Sequence, residues 1–519
     1  MVPDGATSRL RKNAPGGVKT PESIDTTCLM SRARMQRGSK SQSFQYLGEV
    51  SMNIVLVVFD SMRKDCLECY GEPFWGKVHT PHLNALAQES LVFDRVYPES
   101  LPTLPTRRAL YTGRRVYPFH NADFRLKGDF VGAPGWGPIP EDQPTLAELL
   151  NENGYRTALI ADVYHMFKPS KNYWRGFDQW MFLRGQETDK YRSGPKPTQE
   201  EIDYWLPKEI QNERRIAFIT QCLMNMYDRT KEEDYFAPRV LIEAARWLEQ
   251  NQDADKFFLT VESFDPHEPW FVPEHYRRMY DDSEGPEQVV SGYANIDNMS
   301  PQLVRRTQAN YSGLVTMCDR WFGHLYETLK TLGMLKNTLL IVTTDHGHSI
   351  GDKGFIGKRG YPSHPSVYDV PLIVRHPEGI GAGQRCDLLL NHTDIAAFIV
   401  EMAGVTPPAL YDGIPFWRAV VEKSQPLRDH VTVGWGTAMT VIDERWWLNI
   451  KIDGTGAFLY DKQNDPGFQK NVADIYPDEV KRLYRVGTED AGGSFPEYLE
   501  QICANQADAP GCSSLVARE

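Results

Sequence analysis

A chain of 519 residues is long enough to bury a large core, and its net charge of -12 argues against general nucleic-acid binding. Apolar residues at 41% and charged residues at 24% are ordinary for a folded protein, and no run of about 18 apolar residues offers a membrane span. The cysteines are scattered, which favours reduced thiols in a cytoplasmic setting over a disulfide framework, and Cys66-x-x-Cys69 lacks the second pair that a zinc ribbon needs.

Residues 1–51 are rich in Arg, Lys, Ser, Gly and Pro and lack both apolar periodicity and the core of a secretory signal, so they are expected to be a disordered leader. The continuous apolar run Ile54 to Phe59 predicts a strand buried on both faces. Thr80-Pro81 opens a helix carrying Leu83, Leu86, Ala87 and Leu91. A helix from Thr145 to Asn153 stops at Gly154 and leads to a strand from Arg156 to Ala161. The alternation recurs. A helix over Pro238 to Gln250 precedes a strand over Lys256 to Phe264, and a helix over Gln302 to Leu332 precedes a strand over Thr338 to Thr344. The expected fold is α/β, a large and mostly parallel sheet sandwiched by helices across residues 52–430. From Val431 short alternating segments with a turn at Asp453-Gly454 predict a smaller antiparallel sheet with a covering helix, a C-terminal subdomain over 431–519. The last residues are read as a tail or an arm onto a neighbouring subunit of a homo-oligomer, a dimer or tetramer.

Ligands of such sheets sit at the carboxyl ends of strands, and Asp60, His267, Asp345 and His346 each fall just past a predicted strand end. Two aspartates and an imidazole form a hard, partly nitrogenous donor set suited to one divalent ion (Zn²⁺, Mn²⁺, Mg²⁺ or Ca²⁺). Thr103 would add an oxygen held near its alkoxide form by the bound cation. Pro105 suits the first turn of a helix that starts at Thr103, which aims the positive end of the helix dipole at that hydroxyl. Arg107 and Lys358 are candidates for neutralising charge on transferring oxygens, and His267 for protonating a leaving group. His348 and His364 are candidates for completing a second metal site.

TLPTRRALYTG, from Thr103 to Gly113, resembles the nucleophile motif of the sulfatase branch of the alkaline phosphatase superfamily. Pro105, Arg107, Leu110, Thr112 and Gly113 fall in register, but that family has Cys or Ser where this chain has Thr103. The likeness extends through VVFDSMRKD, TPHLNALAQESLVFDRVY, SFDPHEPW, TTDHGHSIGDKGFIGK, VPLIVRHP and DGIPF. It implies that Asp60, Thr103, Asp345 and His346 hold a metal, that Lys358 meets the substrate anion and that His267 is an active-site histidine. Phe59-Asp60-Ser61 has one carboxylate where many sulfatases have two, as in phosphonate monoester hydrolases. His120, Asn121 and Tyr164 follow motif or strand ends that line the family's substrate pocket. Threonine cannot be oxidised to the formylglycine aldehyde that sulfatases use. The expected activity is therefore metal-dependent hydrolysis of a small-molecule phosphate ester, of phosphodiester or phosphonate monoester type, with Thr103 as covalent nucleophile. Two alternatives stand beside it: a sulfatase working without formylglycine, and a metal-binding pseudoenzyme or binding protein.

Overall fold

Seven consecutive residues of strand β1 (Asn53–Phe59) are buried, because each face of the strand meets a layer of helices. Ile54, Leu56 and Val58 enter one hydrophobic core and Val55, Val57 and Phe59 another, as the period of two along a strand dictates. The computed structural model describes residues 52–120, 133–289, 293–424 and 426–505. All of these belong to one compact unit, and the expected leader over residues 1–51 lies outside the described residues.

The same sheet contains β2 (Leu91–Tyr97), β3 (Arg156–Ala161), β4 (Gln179–Phe182), β5 (Phe257–Ser263), β6 (Thr338–Thr344), β7 (Leu372–Arg375) and β8 (Gln384–Asn391). Their order is β8-β2-β7-β6-β1-β5-β3-β4. β7 runs antiparallel to both β2 and β6, and the other pairings are parallel. The mostly parallel α/β sheet expected from the alternation of helices and strands is thus present.

Among the described helices that flank it are α1 (Pro81–Gln88), α2 (Thr103–Thr112), α3 (Leu146–Glu152), α4 (Phe236–Gln250), α5 (Pro301–Thr331) and α6 (His392–Met402). α1, α4 and α5 pack in the core of Val55, while α2, α3 and α6 pack in the core of Ile54. Local chemistry sets several boundaries. Thr145 and Glu148 form a reciprocal capping box at the start of α3, and Ser300 Oγ accepts from Leu303 N at 3.2 Å at the start of α5. α1 is shorter than expected. Leu91 leaves the helix and opens β2, because the buried run Leu91-Val92-Phe93 pairs with β7.

The C-terminal sheet comprises β9 (His430–Trp435), β10 (Ala438–Asp443), β11 (Trp446–Lys451) and β12 (Phe458–Asp461), all antiparallel. Helix α7 (Pro477–Asp490) covers it, with Leu483 in the core of Met439, Val441 and Leu448. Trp435 and Trp447 reach the opposite way, into the core of Ile54. The described cysteines are free thiols, and among the described residues no helix is long and apolar enough to cross a membrane.

Candidate active site

β6, β1 and β5 are neighbours in the sheet, so the residues just past their carboxyl ends meet. Asp60 follows β1, and Asp345 and His346 follow β6. Donor atoms of all three lie within 4.8 Å of one another, and all three side chains are buried. The N–H groups of Ser61 and His346 donate to Asp345 Oδ1 at 3.0 and 2.7 Å. Ser61 Oγ donates to Asp60 Oδ1 at 2.8 Å, and Ser61 itself is held at φ 62°. That left-handed turn costs a non-glycine residue some strain, and the bonds to the two aspartates hold it in place.

Arg107 reaches from α2 beneath this cluster. Its Nη1 lies 2.9 Å from Asp60 Oδ2, 2.6 Å from Asp345 Oδ2 and 3.3 Å from the Thr103 carbonyl, and its Nε donates to Glu262 Oε2 at 2.9 Å. Tyr111 of the same helix donates to Glu262 Oε1 at 3.0 Å. Burial works against the guanidinium charge, but Glu262, Asp345 and Asp60 outweigh it and hold Arg107 firmly protonated. Burial, then the charge of Asp345, raises the Asp60 carboxyl, and burial pushes Glu262 to about 7. Three carboxylates thus face one guanidinium.

His346 shows what this surplus fits. Its Nδ1 donates to the Gly347 carbonyl at 2.9 Å, so Nε2 presents a lone pair 3.4 Å from Asp345 Oδ2 and 3.5 Å from Thr103 Oγ1. Burial lowers the imidazole to about 4, keeping it neutral. Carboxylate oxygens that Arg107 Nη1 bridges from one side, an imidazole lone pair and a hydroxyl oxygen converge here, and their chemistry matches the donor set of a divalent cation. Gly347 is required by space, since a Cβ there would meet the Ser366 carbonyl at 2.0 Å.

Thr103 is the first residue of α2 and is 3% exposed, which sets it at the helix end that carries the positive pole of the dipole. α2 ends at Gly113, whose φ of 62° and place against the Tyr411 ring leave no room for a side chain. Both ends of the TLPTRRALYTG motif therefore have a local reason.

A second buried cluster forms around His267, past β5. Its Nδ1 is 2.6 Å from the Glu268 carbonyl and 3.3 Å from both Glu187 Oε1 and Glu268 Oε2. Its Nε2 is 2.5 Å from Lys358 Nζ, which also lies 3.2 Å from Glu268 Oε2. Donation from Nδ1 to the carbonyl leaves Nε2 to accept from the ammonium. Burial, then the Lys358 charge, holds His267 well below the usual imidazole range. Lys358 stays protonated because Glu268, Asp60, Glu187 and Asp345 together outweigh its burial, so both clusters act on one ammonium. Burial and the charge of Glu268 push Glu187 up to about 8.

The remaining expected residues stand as follows. Tyr164 donates to Glu187 Oε2 at 2.7 Å, and its ring lies against His165. His120 is exposed, and Asn121 lies outside the described residues. His348 approaches Glu268 Oε2 at 3.4 Å, whereas His364 turns to Ser366 at the start of a short helix. Glu262, Tyr111, Glu187 and Glu268 were not anticipated. Glu262 left a signal, a carboxylate inside the apolar strand FFLTVES, where burial requires a partner. Glu187 left none. A cavity of about 810 Å³ opens elsewhere, beside Arg63, Lys64, Asp352, His364 and Phe468, and neither cluster lines it.

The sequence profile of the sulfatase family matches residues 52–405. The chain therefore belongs to the sulfatase family of hydrolases, within the alkaline phosphatase superfamily. It is 25% identical over 404 residues to an arylsulfatase of Clostridium perfringens, covering 73% of this chain and 80% of that protein. It is 24% identical over 440 residues to a multifunctional alkaline phosphatase superfamily protein of Trinickia caryophylli, covering 73% and 80%. The phosphonate monoester hydrolase of Silicibacter pomeroyi shares its fold, with a TM-score of 0.66 at 20% identity over 86% of this chain and 96% of that one.

Proposed function

We propose that this protein hydrolyses a phosphate ester, a phosphodiester or a phosphonate monoester, with Thr103 as covalent nucleophile and a divalent ion held by Asp60, Thr103, Asp345 and His346. One observation carries the reading. The hydroxyl at the head of the motif belongs to a threonine, and it lies 3.5 Å from His346 Nε2 beside two buried carboxylates. Bound there, a divalent ion would favour the alkoxide of Thr103 and draw charge from the transferring oxygens.

Thr103 Oγ1 attacks phosphorus, and the bond to the ester oxygen breaks with its electron pair leaving on that oxygen. A proton from the Lys358–His267 pair, whose Nζ and Nε2 lie 2.5 Å apart, completes the leaving alcohol. Water then attacks the phosphothreonine. The Oγ1–phosphorus bond breaks, its electrons return to Thr103, and the proton lost by water restores the Lys358–His267 pair. Formylglycine chemistry expels sulfate by reforming a carbonyl, a route that a threonine lacks, whereas water attack at phosphorus serves Ser and Thr phosphoenzymes. Arg107 keeps the two aspartates apart and oriented throughout.

A panel of aryl sulfate, aryl phosphate, phosphodiester and phosphonate ester on purified protein tests the proposal. Phosphoester turnover that a chelator removes and divalent metal restores is the expected result. The arylsulfatase relative favours a second reading, sulfate ester hydrolysis at the same threonine, and aryl sulfate turnover in excess of every phosphoester would select it. No turnover of any ester would leave the site as a binding site.

A further inference from the structure

Besides the Asp60 cluster, Glu187, His267 and Glu268 bring donor atoms within 4.8 Å of one another, again buried. Such acidic groups are often closed ion pairs, and here Lys358 does pair with Glu268 at 3.2 Å, but that pairing leaves buried atoms without a hydrogen bond. His348 is 1% exposed, yet neither of its ring nitrogens makes a hydrogen bond. Its Nδ1 lies 3.4 Å from Glu268 Oε2, an oxygen that also lacks a hydrogen bond. Buried polar atoms are almost always paired, so unpaired acceptors converging from different segments mark the seat of a donor. Glu268 pairs with Lys358 at 3.2 Å, while Glu187 Oε1 stands 3.3 Å from His267 Nδ1, and an arriving ammonium would favour the carboxylate form of Glu187.

A metal ion suits this seat poorly. Both nitrogens of His267 are engaged, Nδ1 with the Glu268 carbonyl and Nε2 with Lys358, which removes the imidazole from the donor set. A divalent ion would also lie against the Lys358 charge. A primary ammonium needs only acceptors about 2.8 Å away, and its N–H groups can serve two carboxylate oxygens and an imidazole lone pair together. Lys358 and His267 stand on the side from which the leaving oxygen takes its proton, so a cation held by Glu187 and Glu268 belongs to the departing alcohol.

We propose that Glu187, Glu268 and His348 bind a protonated amine on the leaving-group side of the substrate, which makes the substrate an ester of an amino alcohol or amino sugar. The location of the amine rests on the reading of Thr103, Lys358 and His267 given above, but the amine site itself can be tested without turnover.

Calorimetric titration of the metal-loaded protein with 2-aminoethylphosphonate and propylphosphonate, and with 2-aminoethanesulfonate and propane-1-sulfonate, separates the two ideas. The amino compound of a pair should bind about tenfold or more tightly than its propyl isostere, as expected for charge-assisted bonds in a buried site. That preference should fall to about threefold or less in Glu187→Gln and in Glu268→Gln. If it appears only among the sulfonates, the amine site stands and the phosphoryl reading fails. Equal binding of amine and propyl compounds by the wild type in both pairs would overturn the amine site, with no variant needed. A preference unchanged in both variants would overturn it too. So would a second bound metal equivalent, by elemental analysis, that Glu187→Gln removes, since the carboxylates would then serve that metal.

Discussion

The two buried clusters use opposite kinds of cation. Arg107 anchors the first, and its guanidinium cannot give up a proton under any condition in which the protein folds. Lys358 anchors the second, and its ammonium donates to His267 Nε2 at 2.5 Å. The contrast extends to their carriers. Strand ends and the first turns of α2 supply the Asp60 cluster, while loops supply Glu187, His267, Glu268 and Lys358. On the proposed mechanism, rigid elements thus hold the charges that must stay fixed, and loops hold the groups that exchange protons. In the proposed mechanism one cluster sets the field at the reacting atom, and the other moves protons and meets the departing group.

The largest expected effect comes from the head of the first cluster. Thr103→Ala should lower phosphoester turnover by about three orders of magnitude or more, while the fold and most metal affinity persist. Thr103→Ser should keep substantial activity, because the reacting oxygen survives. Single-turnover kinetics with both variants check this, and near-native turnover by the alanine variant would shift the nucleophile to a water. Lys358→Arg comes next, and it probes the contrast directly. The charge remains but the exchangeable proton is lost, so kcat should fall by about 10²–10⁴ with a much smaller change in KM. A kcat unchanged for an ester with a poor leaving group would show that the proton comes from elsewhere.

Arg107→Met reports on the fixed charge. It leaves Asp60, Glu262 and Asp345 facing one another in a buried site, and removal of one partner from such a network costs about 3–5 kcal/mol. Urea unfolding of the metal-free protein should show that loss, and added divalent ion should restore part of it, since a cation in the first site compensates two of the three carboxylates. A variant as stable as wild type without metal would mean that the carboxylates take up protons instead.

Much of the first cluster was legible in the sequence because its residues obey local rules. An apolar run ends in a polar residue at Asp60 and at Asp345, and the Pro105 and Gly113 punctuation brackets α2. Glu262 was legible in principle, as a lone acid within a buried strand. β2, β7 and β8 were harder. Leu91-Val92-Phe93 continues the apolar spacing of α1, and only its pairing with β7 and β8, roughly 300 residues away, makes it a strand. In the second cluster His267, Lys358 and His348 were anticipated, whereas Glu187 and Glu268 were not. Glu187 sits in a polar loop, GQETDK, and has no pattern of its own; the bond from Tyr164 and the approach of His267 give it meaning.

The smallest predicted effect concerns His392, which stands behind the first cluster. It opens α6, is fully buried, and donates from Nε2 to the Thr344 carbonyl at 2.9 Å, one residue before Asp345. Burial lowers its pKa from 6.5 to about 4. The folded pKa lies below the unfolded one, so within that window the unfolded chain binds a proton that the native chain refuses. Stability contributed by the neutral imidazole is therefore complete above the unfolded value and lost as pH falls toward the folded one. In His392→Gln the amide can still donate to Thr344, but nothing titrates. The slope of unfolding free energy against pH in the acidic window should fall by at most about one proton, with little change at neutral pH. Urea midpoints measured across that window for both proteins check it. An unchanged slope would show that other buried imidazoles, with His267 and His348 of the second cluster foremost, carry the acid sensitivity, and would move the pH-responsive part of the molecule to the loops.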